Sequence, residues 1–187
     1  MEALVTSFVA AFLGEWGDKT QLIVAMLAAG TRRPMMVMAG LILAALASSI
    51  VAAIAGVWIA ATIPIRAMTL MVALALLFAA ASGLFARKPG APGSQRLPVL
   101  LTAFLLCLAA EMGDRTQFLT FALAGRFDSA PLAAAGATAG IIAACIPAAI
   151  LGERLQTIVP VRGIRWTGAA LFLIAGFIVA MKALQLA

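Results

Sequence analysis

Two short stretches of this sequence carry acids where acids are costly. Glu15-Trp-Gly-Asp-Lys-Thr-Gln21 and Glu111-Met-Gly-Asp-Arg-Thr-Gln117 each lie inside a long apolar run. A charge at that depth in a membrane costs roughly 3 kcal/mol or more, and such residues usually mark a site or a path. Glu15 and Asp18 are three apart, as are Glu111 and Asp114, so a continuous helix would present each pair on one face. Gln21 and Gln117 fall three residues further along the same stripes, and Thr20 and Thr116 add hydroxyl oxygens. Brought together, these groups would form an oxygen-rich cage suited to a hard divalent cation such as calcium, manganese or magnesium. The sequence has no histidine and neither cysteine lies in the motifs, which argues against zinc or copper. Met112 stands where the first motif has Trp16. It is either a packing residue or a softer ligand that favours manganese over calcium. Lys19 and Arg115 follow their glutamates by four residues, an ion-pair spacing, and would balance buried negative charge or reach toward water.

Gly17 and Gly113, inside the motifs, permit a kink or a close helix approach beside the acids. Ser48 and Ser49, opposite Ala144 and Cys145 in the second half, either line the path or bond to their own helix. Gly136-x-x-x-Gly140 reads as helix packing rather than gating.

The elements that must position these residues follow from composition. With 65% of 187 residues apolar and 11% charged, the chain has too little polar surface for a soluble domain of its size. Runs of about 20 apolar residues, enough to cross a bilayer, occur near Leu4–Ala29, Met35–Ala61, Ala67–Ala86, Leu97–Ala124, Leu132–Leu151 and Trp166–Leu186. The expected fold is therefore an all-α integral membrane protein with six transmembrane helices. The first residues carry Glu2 and no basic residue, unlike a signal peptide, so the first run is expected to belong to the fold. Cys107 and Cys145 sit in apolar runs and read as membrane thiols. The net charge of +6 is scattered over span ends, a topology signal rather than a nucleic-acid surface.

The two motifs are parts of a longer repeat. An ungapped offset of 96 also takes Gly40 to Gly136, Gly56 to Gly152, Pro64 to Pro160 and Arg66 to Arg162, with 23 identities in 86 pairs. The matched acids, glutamines, prolines and arginines do not arise from alanine and leucine richness. The chain thus divides into a first three-helix repeat (1–86), a linker rich in Gly and Pro (87–96) and a second three-helix repeat (97–187). Three spans per repeat place the copies in opposite orientations. Basic residues give the sidedness. Arg32, Arg33, Arg87, Lys88, Arg96, Arg154, Arg162 and Arg165 fall on one side, and Arg66, Arg126 and Lys182 on the other. The richer side is expected in the cytoplasm, with the linker, and both termini in the periplasm. Inverted repeats are a common plan of secondary transporters, with substrate bound near the midplane.

Two copies of E-x-G-D-[KR]-[TS], each within a three-span repeat, resemble the small cation/proton antiporter family that includes Golgi calcium/manganese transporters and bacterial manganese exporters. The resemblance covers nearly the whole chain. It implies export of manganese, or of calcium, from the cytosol in exchange for protons, and a place in the bacterial inner membrane. The cation is then substrate, with no cofactor and no enzymatic activity. Independently of that resemblance, clustered carboxylates let protons and a divalent ion compete for the same oxygens, which is a means of coupling. Two rival readings remain from the residues. An exporter of amino acids or other organic cations would want a larger aromatic or apolar pocket than three Trp and no Tyr suggest. An intramembrane lipid-pyrophosphate hydrolase would want a nucleophile or base beside a phosphate-binding arginine cluster, and only Thr20, Thr116, Lys19 and Arg115 are at hand.

Overall fold

The computed structural model describes residues 1–85 and 97–185; the linker expected at 87–96 and the last residues of the third and sixth expected spans lie outside them. Among the described residues every regular element is a helix. Four of the described helices are long and apolar enough to cross a membrane: α3 (Pro34–Ala60), α4 (Ile65–Leu84), α7 (Ala130–Leu151) and α9 (Val161–Leu184), with a short helical turn, α8 (Leu155–Ile158), between the last two. Prolines set several of their starts. Pro34 and Pro131 occupy first-turn positions, where a missing N–H costs nothing, and Pro64 and Pro160 immediately precede α4 and α9.

The first and fourth expected spans are each interrupted. The first is split into α1 (Glu2–Glu15) and α2 (Lys19–Thr31), and the fourth into α5 (Val99–Glu111) and α6 (Arg115–Phe127). At 13 or 14 residues, none of these four reaches the length that spans a bilayer alone. The expectation that Glu15 and Asp18, and Glu111 and Asp114, share one face of a continuous helix is therefore corrected. The reason is local. Trp16 (φ −65°, ψ 121°) and Gly17 (φ 71°), with Asp18 N–H donating to the Glu15 carbonyl at 3.1 Å, form a type II turn. Met112 (φ −63°, ψ 121°), Gly113 (φ 70°) and the 3.1 Å bond from Asp114 N–H to the Glu111 carbonyl repeat it. Glycine is needed at the third turn position because φ there is positive.

Small residues set the packing. The main core cluster is largely alanine, with Val24, Leu27, Val37, Leu41 and Ile141. Helices meet backbone to backbone, the way apolar helices associate when lipid removes the usual drive to bury large side chains. A Cβ added at Gly136 would strike the Leu4 carbonyl, and one at Gly40 would lie 2.7 Å from the Leu100 carbonyl oxygen. A Cβ at Gly56 would strike Phe121 of α6, and one at Gly152 would meet Ala29 of α2 at 3.2 Å and the Ala25 carbonyl at 3.7 Å. Leu100 is Leu4 plus 96 and Phe121 is Ala25 plus 96, so the contacts are reciprocal between the halves. Thus α1 packs on α7 as α5 packs on α3, α2 meets α7 as α6 meets α3, and α4 pairs with its own counterpart α9. The Gly136 and Gly140 stripe packs against α1, at Leu4 and Phe8.

Candidate functional site

The two turns bring the motif acids of both halves together inside the protein. Glu15, Asp18, Glu111 and Asp114 are all at most 3% exposed. Glu15, Asp18 and Asp114 each bring a carboxylate oxygen within 4.8 Å of the others'; Glu111 is not part of that closest set. Asp18 and Asp114 are the residues immediately before α2 and α6. The amide dipoles at these helix starts favour negative charge there.

The side chains that hold the acids reach across from one repeat to the other. The Thr116 hydroxyl donates to Glu15 Oε1 at 2.6 Å, and the Thr20 hydroxyl donates to Glu111 Oε1 at 2.9 Å. Glu15 Oε2 and Glu111 Oε2 are buried with no hydrogen-bond partner among the described residues. Lys19 Nζ lies 3.6 Å from Asp114 Oδ1, and Arg115 Nη2 lies 3.5 Å from Asp18 Oδ1. The two cations were expected four residues along a helix from their own glutamates. With those helices broken, each pairs with the aspartate of the other half. They are not equivalent, since Arg115 is 3% exposed and Lys19 25%.

The glutamines serve the breaks. Gln21 Oε1 accepts the Gly17 N–H at 3.0 Å and Gln117 Oε1 accepts the Gly113 N–H at 2.8 Å, satisfying backbone donors that the interrupted helices leave over. Gln21 Nε2 donates to the Ala144 carbonyl at 2.7 Å, while Gln117 Nε2 lies 3.4 Å from the Ser48 hydroxyl. Ala144 is Ser48 plus 96, so the position flagged for a path in α3 and α7 is the seat of each amide. Gln117 Nε2 is also 3.7 Å from the Met112 thioether. Sequence reasoning missed the Thr–Glu and Lys/Arg–Asp exchanges. Their only signal was the identical spacing of both motifs.

The surroundings differ between the halves. A cleft of about 500 Å³ reaches the second motif, lined by Met112, Gly113, Asp114 and Gln117 together with Val51, Phe78 and Phe121. At the first motif, Gly17 is buried and its Cα faces Val161 and Arg165 at the start of α9. Sequence analysis gave these two residues no role beyond the contribution of Arg165 to loop charge.

Mirrored helix breaks, buried acids and crossed contacts thus make one interior cluster to which both halves of the chain contribute equivalent residues. The chain belongs to the family described as divalent cation/proton antiporter GDT1, whose model matches residues 3–90 and 99–187. It is 30% identical over 176 residues, 93% of this chain and 88% of the other, to a protein of Vibrio cholerae serotype O1 named "Putative manganese exporter". No solved structure matches it significantly. Family membership decides against the hydrolase and the organic-cation exporter.

Proposed function

We propose that this chain exports manganese from the cytosol in exchange for protons, using one site built from Glu15, Asp18, Glu111 and Asp114. The observation that carries the reading is the meeting of three of these carboxylates, from both repeats, within 4.8 Å in the interior. Oxygen donors without histidine or thiolate suit a hard divalent ion, and the name of the Vibrio relative favours manganese over calcium. Glu15, Asp18 and Asp114 are the first ligands, with Glu111 beside them. Thr20 and Thr116 hold the glutamates and Gln21 and Gln117 hold the turns, while Lys19 and Arg115 balance charge. Breaks in membrane helices also free carbonyl oxygens and aim helix dipoles at a midplane site.

In this reading α1 with α2, and α5 with α6, each cross the inner membrane as one discontinuous span, giving six spans in two inverted repeats. Both termini are periplasmic and residues 87–96 are cytoplasmic. Exporting two positive charges against an inside-negative potential costs about 2.3 kcal/mol per charge per 100 mV. Protons arriving from outside displace the metal outward, and re-exposure to the cytosol releases them. The test is uptake of manganese, calcium and magnesium into proteoliposomes under an imposed pH gradient. Manganese movement that follows the gradient and collapses with it supports the proposal. Movement indifferent to pH contradicts it.

A further inference from the structure

The halves exchange like pairs across the site, threonine to glutamate and cation to aspartate, so the place where they differ most in packing is informative. Gly113 is exposed, and a Cβ built there would meet nothing within 4 Å. The same atom at Gly17 would lie 2.9 Å from Val161 Cγ1 and 3.4 Å from Arg165 Cδ. Subtracting the repeat offset of 96 from Val161 and Arg165 gives Ile65 and Thr69, at the start of α4. Ile65 is 61% exposed. The first half's copy of this helix start therefore stands away from Gly113, where the cleft opens instead.

We propose that the start of α9, carrying Val161 and Arg165, is a gate seated on Gly17. Its counterpart, the start of α4 with Ile65 and Thr69, seats on Gly113 only when α9 has left Gly17. The proposal rests on the inverted-repeat transporter reading and adds the moving parts to it. An exchanger must never open its site to both sides at once. Two copies of one unit meet that need when each can take the packing the other vacates, because the two arrangements then use equivalent contacts and lie close in free energy. Both glycines suit the role, since a side chain at either turn would occupy the gate's seat.

Arg165 is the residue that makes the two gates unequal. Its counterpart is a neutral threonine, and its stem packs on the backbone that links Glu15 to Asp18. Its Nε is buried with no hydrogen-bond partner among the described residues. A guanidinium whose stem packs on that turn brings positive charge to this face and opposes entry of a second cation from it, so loading the site from there requires the gate to move first.

The test uses the full chain in membrane vesicles with both native thiols replaced by the residues of the other repeat, Cys107→Ala and Cys145→Ser. Reporter cysteines are introduced singly, Trp16→Cys and Met112→Cys, and an impermeant maleimide is applied from each side. We expect Met112→Cys to label from one side only and Trp16→Cys to be protected. Adding Val161→Ala with Arg165→Ala should speed Trp16→Cys labelling at least tenfold from the opposite side and slow labelling of Met112→Cys. Adding Ile65→Ala with Thr69→Ala should shift both rates the other way. Rates that change in the same direction at both reporters, or an unchanged Trp16→Cys rate in the first pair, overturn the gate. Labelling needs no transported ion, so that failure leaves the antiporter reading standing, and a failed flux assay leaves the gate standing.

Discussion

Each motif glutamate has one carboxylate oxygen held by a threonine of the other half and one with no hydrogen-bond partner among the described residues. A buried acceptor left unpaired costs free energy that a protein retains only for a reason, and under the proposed function that reason is an oxygen kept available to a proton or a cation. Glu15→Gln, Asp18→Asn, Glu111→Gln and Asp114→Asn should each abolish metal flux while leaving inserted protein, because the amides keep shape and lose charge. Flux assays beside membrane-fraction immunoblots check this, and loss of the protein itself would assign the acids to folding. Thr20→Val and Thr116→Val should weaken manganese binding by roughly 10–100-fold, the usual effect of removing a hydrogen bond that orients a metal ligand. Serine at either position should restore it, as titration calorimetry would show. The acids and hydroxyls were legible from type and depth alone. Their partners were not, because a spacing of three or four residues fixes neighbours only along an unbroken helix.

At the scale of the element, the decisive feature is the type II turn inside each motif. The third position of E-x-G-D carries the signal, since glycine there allows positive φ, and sequence analysis recognised a permission to kink without placing the break. Apolar run length concealed it: Leu4–Ala29 is continuous in hydropathy although the helix stops at Glu15. Glycine also governs helix approach, with consequences that separate by position. Gly56→Ala and Gly136→Ala place a methyl against the carbonyls of Phe121 and Leu4 and should force α3 from α6 and α7 from α1. Gly163→Ala, in α9 with nothing within 4 Å, should be neutral or gain the roughly 1 kcal/mol that alanine holds over glycine in a helix. Thermal unfolding in detergent, followed by size exclusion, should rank the first two well below the native chain and the third beside it.

Over the whole molecule, the repeat is legible in the amino-acid order because 96 residues separate matched prolines and arginines as well as matched acids. The reciprocal contacts of α1 on α7 and α5 on α3 then follow from two like units meeting face to face. What the repeat could not disclose is the state: two matching motifs give no hint that Gly17 is covered and Gly113 open. Sidedness rests on loop charge. A cysteine at Ser94 should resist an impermeant reagent outside intact cells, and one at Glu2 should react; the opposite pattern would invert the orientation.

The central claim is that metal and protons use the same carboxylates. The sequence has three other acids: Glu2 and Asp128 are exposed at helix ends, and Glu153 lies in the short 3-10 turn that follows α7, so none stands inside a long helix to serve a separate proton path. If one site serves both, an empty site must hold protons, because four carboxylates gathered in a low-dielectric interior beside two cations, Lys19 and Arg115, cannot all stay ionised. Manganese binding should then release protons, and apparent affinity should fall as pH falls. Net export against the potential asks for about two protons or more per ion. The direct measurement is calorimetry of manganese binding to the purified protein in buffers of different ionisation enthalpy, which counts the protons released. Two or more per ion, with affinity weakening toward acid pH, is the result the shared site requires. A count of zero, with affinity flat from mildly acid to mildly alkaline pH, would contradict it even in a protein that carries manganese.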